Sequence, residues 1–337
     1  MYYTNWKTPY NNPAAPRALL EAGCSPLQAV MLSLRGIDDP REAEEFLHGG
    51  EEQLRDPMLM LDMDKAAARL KKAIDGRETV AVFGDYDVDG ITATCLVTDW
   101  LRSVGLDVVP YIPDRIEEGY GLNNSAIDSL REVGVTLIVT VDCGITAVSE
   151  AEYARNLGMD MIITDHHECR NQALPSAVAV VDPKREGCPY PNKELAGVGV
   201  ALKLACAVDG NCMADAEKYA DLVAVGTVAD VMPLTGENRR LVKMGLEKIS
   251  GSPSVGIAAL LDECGMGDRK LTAASIGFTL APRLNAAGRL GKASTAARLL
   301  MASDAQTAAE LASELCELNR RRQSIETDIW ADANGML

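Results

Sequence analysis

The stretch ETVAVFGDYDVDG (78–90) decides the fold of this 337-residue chain, because a β-branched apolar run ends directly in acidic residues. Four more apolar runs follow it, at 106–112, 135–142, 159–165 and 176–182. Segments with helical spacing separate most of these runs. Apolar strands that alternate with helices are typical of a parallel sheet covered on both faces. We therefore predict an α/β fold in which helices flank a parallel sheet.

The strand signals disappear after about residue 195, and the rest of the sequence has the spacing of helices. We predict four regions: an N-terminal helical and irregular segment (1–55), an α/β portion (56–190), a helical portion that completes the same domain (191–302), and one long C-terminal helix (303–337). Apolar residues recur along one face of that last helix: Leu311, Leu315, Leu318, Ile325 and Ile329. Such a face is normally buried. Packing within this chain would cover the first half, whereas the second half, beyond Arg322, is expected to need a further domain.

The composition is that of an ordinary folded protein, with 47% hydrophobic and 24% charged residues, and it excludes a disordered, coiled-coil or fibrous chain. The net charge of −16 argues against nucleic-acid binding, although carboxylates gathered at a metal site would supply part of it. Nine cysteines without a C-x-x-C pair predict neither a disulfide framework nor a structural zinc site. No apolar run is long enough to span a membrane, and the N-terminal residues lack the layout of a signal peptide. We therefore expect a cytoplasmic protein with no membrane partner.

Acidic residues and histidines follow three of the predicted strands: Asp85, Asp87 and Asp89 in the first case, Asp142 in the second, and His166 and His167 in the third. Ligands of open α/β sheets bind beyond the carboxyl ends of the strands. In an extended segment the first three carboxylates would project to one side, where they repel each other unless cations lie among them. Oxygen ligands with imidazole suit Mn²⁺, Mg²⁺ or Fe²⁺. The alternative interpretation is a solvated acidic loop with Asp at turn positions.

Several familiar motifs do not match this sequence, because a required residue is missing at the expected position. An EF-hand would need Glu where Leu96 stands, and a zinc-protease helix would need His where Asn171 stands. The segment 288–294 has Ala293 where a P-loop needs Ser or Thr. Residues 196–201 lack the third glycine of a dinucleotide fingerprint and are more typical of a close-packed helix start.

Four segments in order, GDYDVDGITA (84–93), VTVDCGIT (139–146), ITDHHE (163–168) and VGTVADVMPL (225–234), resemble the DHH phosphoesterase superfamily. Further segments are more specifically similar to the RecJ-type single-strand-specific DNA exonucleases: RGIDDPREAEEFL (35–47), DPMLMLDMDKA (56–66), IPDRIEEGYGLN (112–123), YPNKELAGVGVALKL (190–204) and APRLNAAGRLG (281–291). The resemblance runs from about residue 30 to the end of the sequence.

The resemblance implies ligands for one or two Mn²⁺ or Mg²⁺ ions: Asp87, Asp89, Asp142, His166 and Asp230, with Asp85 joining or orienting them. It makes Asp142 the carboxylate that bridges two ions and places His167 near the scissile phosphate. Phe83 stands where pyrophosphatase-type members of the superfamily have a histidine.

Candidate substrate-binding residues lie in two segments. Arg283, Asn285 and Arg289 correspond to a family segment that lines the substrate path beside the metals. Arg115 and Tyr120 lie in a loop, where they could contact a strand or stack on a base. The alternative interpretations are an ordinary helix surface for the arginines and an ordinary surface loop for the other pair.

The resemblance implies a metal-dependent 5′-to-3′ exonuclease that hydrolyses single-stranded DNA to mononucleotides in recombination and repair. Its partner would be single-stranded DNA, with a single-strand-binding protein or a helicase as further partners in the cell. Two alternatives stay open: a phosphodiesterase for short oligoribonucleotides or cyclic dinucleotides, and a non-catalytic binding module associated with replication. Family members carry a second small domain after the long helix, so we expect this sequence to be a catalytic core that binds and hydrolyses DNA weakly by itself.

Overall fold

The computed structural model describes residues 16–50, 53–169, 173–267 and 269–335. The chain divides into two compact units, Met1–Gln53 and Leu54–Leu337. The N-terminal segment used to predict the localisation lies almost wholly outside the described residues. The predicted boundaries at 190 and 302 fall inside the second unit and stay predictions.

The first unit has three helices in its described part: α1 (Arg17–Glu21), α2 (Pro26–Ser33) and α3 (Pro40–His48). Ser25 and Asp39 cap the last two through their side chains, and each precedes a proline at the first helical position. A small apolar cluster around Leu19 and Leu32 holds the helices together. His48 is the last residue of α3.

The second unit begins with a 3-10 turn (Pro57–Leu59) and α4 (Met63–Gly76). Its described residues form a five-stranded sheet: β1 (Thr79–Gly84), β2 (Asp107–Tyr111), β3 (Leu137–Val141), β4 (Asp160–Thr164) and β5 (Ala179–Val181). Each neighbouring pair is parallel, in the order β2-β1-β3-β4-β5. The predicted parallel sheet is therefore confirmed.

Both faces of the sheet are covered. Along β1, Val80 and Val82 belong to one apolar cluster, whereas Ala81 and Phe83 belong to another. Successive side chains of a strand point to opposite faces, so these two clusters are the cores on either side of the sheet. The helices α5 (Val88–Ser103), α6 (Asn124–Glu132) and α7 (Val148–Asn156) connect the strands.

The rest of the second unit is helical, and no strand follows β5 in the part of the chain that the structure describes. Its elements are α8 (Gly197–Asp209), α9 (Cys212–Ala229), α10 (Gly236–Gly251), α11 (Val255–Glu263), α12 (Ala273–Ser275), a π-helix (Ile276–Leu280), α13 (Ala281–Arg289), α14 (Ala293–Leu300) and α15 (Ala305–Gly335). These helices share one apolar core with a face of the sheet. α8 and α9 form a hairpin that packs on α5.

The long helix α15 is buried along its first half only. Leu311, Leu315 and Leu318 are buried where the helix packs on α11, α13 and α14, as expected for that half. Ile325 and Ile329 are exposed, at 42% and 63%. No helix among the described residues is long and apolar enough to cross a membrane.

Candidate metal centre

The sheet order brings three acidic strand ends side by side. β1, β3 and β4 are neighbours and run in the same direction, so Asp85, Asp142 and His166, which follow them, lie at one edge of the sheet. The chain order reverses at β1, which pairs with β2 on one side and with β3 on the other. Open α/β sheets bind ligands at this kind of position.

The residues after β1 do not form the extended segment that we predicted. The Asp87 carboxylate accepts a hydrogen bond from the Gly90 amide at 3.1 Å, so Asp87 caps α5 and the helix begins at Val88. Capping prevails because it satisfies an amide that the helix itself leaves unpaired. Asp89 therefore lies in the first helical turn. A Cβ at Gly90 would lie 2.6 Å from backbone atoms of Asp85, so this glycine is required for close packing.

Asp89 is held by the start of α8. Its two carboxylate oxygens accept hydrogen bonds from the Gly197 and Val198 amides, at 2.6 and 2.9 Å, and the side chain is fully buried. Amides at a helix N-terminus stabilise a carboxylate. Each carboxylate oxygen has a second lone pair, so Asp89 can still bind a cation.

Asp142 is the buried carboxylate without a hydrogen-bond partner. Neither of its oxygens accepts a hydrogen bond, and its backbone has the left-handed φ of 59°. A Cβ at Gly197 would lie 2.5 Å from Asp142 Cβ and Oδ1, so only glycine leaves room there. Burying an unpaired carboxylate is costly unless a cation or a donor completes it. The surroundings of Asp142 therefore fit a metal ion.

Potential ligand atoms lie within 4.8 Å of one another in three overlapping groups: a first cluster of Asp89, His166 and Asp230, a second cluster of Asp85, Asp87 and Asp142, and a group of Asp142, His166 and His167 that links them. Asp142 also adjoins the first cluster, because His166 Nε2 lies 3.1 Å from its Oδ1, although not in hydrogen-bonding geometry. The same Nε2 is 3.6 Å from Asp230 Oδ2. The predicted metal ligands are thus brought together, with Asp142 between the two clusters.

The carboxylates of this centre are difficult to ionise together. Burial, followed by the charge of Asp87, raises the pKa of Asp85 to about 7 and that of Asp230 to about 6. Burial and neighbouring carboxylates raise the pKa values of Asp89 and Asp142 well above the usual range. Divalent cations bound among these side chains would instead favour the ionised carboxylates and lower their pKa values.

The two histidines have opposite electrostatic environments. Burial, and then the charge of His167, lowers the pKa of His166 to about 4, which keeps its imidazole neutral as a metal ligand requires. His167 Nδ1 lies 2.7 Å from Asp165 Oδ1, and this hydrogen bond raises the pKa of His167 to about 9. Burial would raise the pKa of Asp165, but hydrogen bonds, first from the His167 side chain and then from the Ile145 and His167 amides, lower it. His167 is therefore a cation at neutral pH.

A cavity of about 340 Å³ opens beside the second cluster. Four of the five predicted substrate-binding residues line it: Arg115, Tyr120, Asn285 and Arg289. The Arg115 guanidinium lies 4.9 Å from the centre of the Tyr86 ring, which holds it by a cation–π contact. The cavity thus combines carboxylates on one wall with arginines, an amide and His167 on the others.

Two positions lie away from this cavity. Arg283 is not among its lining residues, because its Nη1 donates to the Thr279 carbonyl one turn earlier in the same stretch of helix, at 2.6 Å. Phe83 is fully buried and stacks on Tyr111, with ring centres 5.0 Å apart, so an apolar contact occupies the position that some superfamily members give to histidine.

No role was predicted for several residues that shape the centre. Asp165 sits between Thr164 and the histidines, and its position beside them was an available signal. Gly226 is different: a Cβ there would lie 2.4 Å from Thr92 Oγ1 and 2.8 Å from Asp89 Oδ1. Such a close approach between distant segments has no signature in a single sequence.

The fold and this cluster of Asp and His side chains define a protein of the DHH class. In agreement, residues 79–227 match the DHH family, N-terminal domain. The chain is 44% identical over 313 residues, or 93% of its length, to the single-stranded-DNA-specific exonuclease RecJ of Bacillus subtilis.

Solved structures give the same result. A crystal structure of exonuclease RecJ bound to manganese is 40% identical, with a TM-score of 0.74, over 81% of this chain and 69% of that one. RecJ from Thermus thermophilus in complex with Mn²⁺ is 34% identical, with a TM-score of 0.79, over 94% of this chain and 45% of that one. The chain belongs to the RecJ family. It spans 39% of the length of the Bacillus subtilis relative.

Proposed function

We propose that this chain carries the catalytic centre of a metal-dependent exonuclease that hydrolyses single-stranded DNA from 5′ to 3′ and releases mononucleotides. The names of its relatives support the substrate class, since the Bacillus subtilis protein is a single-stranded-DNA-specific exonuclease. A role in DNA recombination and repair, a cytoplasmic location, and a single-strand-binding protein or helicase as cellular partners belong to the same proposal.

The observation that carries the proposal is the unpaired Asp142 carboxylate between two clusters of ligand atoms. We infer that the first cluster would hold one cation and the second another, with Asp142 within reach of both clusters. Carboxylate oxygens with a single imidazole suit Mn²⁺ or Mg²⁺, and the related RecJ structures contain manganese.

Divalent cations in such a centre supply a hydroxide-like water at neutral pH and neutralise charge on phosphoryl oxygens. The side chains around them position the strand. Asp165 orients the charged imidazole of His167, which we infer donates to a phosphate oxygen through its free nitrogen. Arg115 and Arg289 can hold phosphates in bidentate fashion, and Asn285 adds a neutral donor. Tyr120 is 53% exposed and offers a ring on which a base can stack.

The two alternative functions are less well supported. A non-catalytic module has no need for buried carboxylates that lack partners, and all six ligand side chains are in place. A phosphodiesterase for cyclic dinucleotides or short oligoribonucleotides would use the same chemistry, but the close relatives are named as single-strand DNA exonucleases.

The test is digestion of single-stranded DNA labelled at either end, with Mn²⁺ present and the Asp142→Ala variant as control. We expect release of the 5′ label as a mononucleotide before the 3′ label, no release with chelator, and none from the variant. Faster hydrolysis of a cyclic dinucleotide than of the DNA, or activity that survives in the variant, would contradict the proposal.

A further inference from the structure

Two cysteines face each other at the end of the α8–α9 hairpin farthest from the metal centre. Cys206 lies in the C-terminal part of α8, and Cys212 is the first residue of α9. Their Sγ atoms are 2.6 Å apart. A disulfide bond is about 2.05 Å long, so the two sulfur atoms lie only slightly farther apart than the bond requires.

The surroundings favour a thiolate on Cys212 and a thiol on Cys206. Lys203 Nζ lies 3.6 Å from Cys212 Sγ, and the positive end of the α9 helix dipole also favours negative charge on Cys212, the first residue of that helix. Lys203 is shared, because it also pairs with the Glu237 carboxylate at 2.5 Å. The hydrogen bond from Cys206 lowers the pKa of Cys212 to about 7, and Lys203 acts in the same direction, whereas burial and the charge of Glu237 oppose it.

The two residues also differ in exposure to solvent. Cys206 is 2% exposed, whereas Cys212 is partly exposed at the start of its helix. Cys212 is therefore the more accessible of the two to a small oxidant, and Cys206 is positioned to react with Cys212. This combination of an accessible thiolate and an adjacent buried thiol is the arrangement of redox-sensitive cysteine pairs.

We propose that Cys206 and Cys212 form a reversible disulfide when the protein meets a peroxide. The Cys212 thiolate attacks one oxygen of hydrogen peroxide, the O–O bond breaks, and sulfenic acid and hydroxide are formed. The Cys206 sulfur then attacks the sulfenic sulfur, the S–O bond breaks, and its proton leaves with the hydroxyl group as water. Two electrons pass from the two sulfurs to the peroxide. A dithiol later reduces the disulfide by thiol–disulfide exchange, which restores both thiols and leaves the dithiol as a disulfide.

The bond would tie together two helices that each carry part of the metal centre at the opposite end. α8 begins with the Gly197 amide that holds Asp89, and α9 ends next to Asp230. Because the sulfurs already lie in contact, we expect the oxidised protein to keep its Mn²⁺ affinity and to melt at a higher temperature, since the cross-link restricts the unfolded chain.

The experiment uses the whole 337-residue chain, treated with hydrogen peroxide, denatured, alkylated and digested for mass spectrometry. We expect a peptide pair joined through Cys206 and Cys212, which dithiothreitol separates. In Cys206→Ser the resolving thiol is missing, so Cys212 should accumulate sulfenic acid that dimedone traps. Cys212→Ser should give neither product.

Cys264 is the control within the same chain, because it is also partly exposed but burial raises its pKa to about 11. Before oxidation, Cys212 should be alkylated at pH 7 roughly threefold or more faster than Cys264. Equal alkylation rates, or a peroxide product that does not include a Cys206–Cys212 bond in the unmutated chain, would overturn the proposal. Neither outcome depends on nuclease activity or on the folding of a variant.

Discussion

At the scale of single residues, the first prediction concerns metal binding by Asp142. It adjoins both clusters, whereas Asp85 belongs only to the second. We expect Asp142→Ala to abolish Mn²⁺ binding at both positions, and Asp85→Ala to weaken one of them by about ten- to hundredfold. Isothermal titration with Mn²⁺ would measure both effects.

The stability of Asp142→Ala without metal provides the control. Removing a buried, unpaired carboxylate relieves repulsion, so Asp142→Ala should unfold no more easily than the unmutated protein in chelator. Full Mn²⁺ occupancy in Asp142→Ala would show that this carboxylate is not a ligand.

The adjacent histidines should differ in what their loss removes. His166 offers a neutral nitrogen to three carboxylates, whereas His167 is charged and has no free lone pair at neutral pH. His166→Ala should therefore lose Mn²⁺ affinity, and His167→Ala should keep it while turnover falls by about a hundredfold.

Asp165, which is hydrogen-bonded to His167, provides the matched variant. Asp165→Asn should reproduce the effect of His167→Ala on turnover, because it removes the charge that orients the imidazole. Metal titration beside a digestion assay separates the roles, and equal losses of metal in the two histidine variants would mean that both are ligands.

The shifted pKa values predict how the stability of the metal-free protein depends on pH. Asp85 has a folded pKa of about 7, against about 3.9 when unfolded, and His167 has about 9 against about 6.5. The folded state therefore binds more protons than the unfolded state, through His167 between pH 9 and 6.5 and through Asp85 below about pH 7, and stability should rise as the pH falls through this range. Below pH 6.5, His166 acts in the opposite direction, since its pKa is lowered on folding.

Thermal melts in chelator between pH 9 and 6.5 would test this, with Asp85→Asn and the exposed Asp107→Asn as a matched pair. The Asp85 variant should show a smaller increase in melting temperature below about pH 7, whereas the Asp107 variant should follow the unmutated protein. Identical slopes for all three would contradict the assigned cause.

At the scale of elements, the centre depends on how closely α8 approaches the end of β3. A Cβ at Gly197 would lie 2.5 Å from Asp142, whereas a Cβ at Gly199 would meet only the Leu195 side chain, at 3.2 Å. Gly197→Ala should therefore displace Asp142, lower Mn²⁺ affinity and destabilise the fold by about 1–3 kcal/mol. Gly199→Ala, in the same helix, should keep Mn²⁺ binding. Equal affinities in the two variants would show that the close approach does not position the ligand.

Elements also show what the sequence could and could not reveal. The sheet and the gathering of Asp and His side chains at its strand ends were predictable, because each apolar run that ends in Asp or His indicates both a strand and a side chain at its carboxyl end. The division of the acidic residues between two clusters was not predictable. It depends on the Asp87 cap, which starts the helix at Val88 and places Asp89 in a different cluster from Asp85. The position of Arg283 was not predictable either, because its contact with Thr279 depends on how the π-helix meets α13.

At the scale of the whole molecule, the long helix α15 joins a buried part to an exposed one. Its residues up to Asn319 supply the buried side chains, among them Leu315, which is fully buried. Beyond them Ile325, Ile329 and Trp330 are exposed, at 42%, 63% and 69%. A helical segment of about 15 residues without packing partners is only marginally stable in water. We therefore expect tertiary packing to stabilise only the first part of α15.

Hydrogen exchange on the intact chain would show this division directly. We expect the amides of residues 308–319 to be protected by nearly the full free energy of unfolding and those of residues 323–330 to exchange through local fraying. In the same way, Leu315→Ala should cost about 2–5 kcal/mol of stability, whereas Trp330→Ser, on the exposed face, should leave the melting temperature nearly unchanged. Strong protection of residues 323–330 in a monomer would mean that this apolar face is covered in solution and that packing, not helix propensity, holds α15 along its whole length.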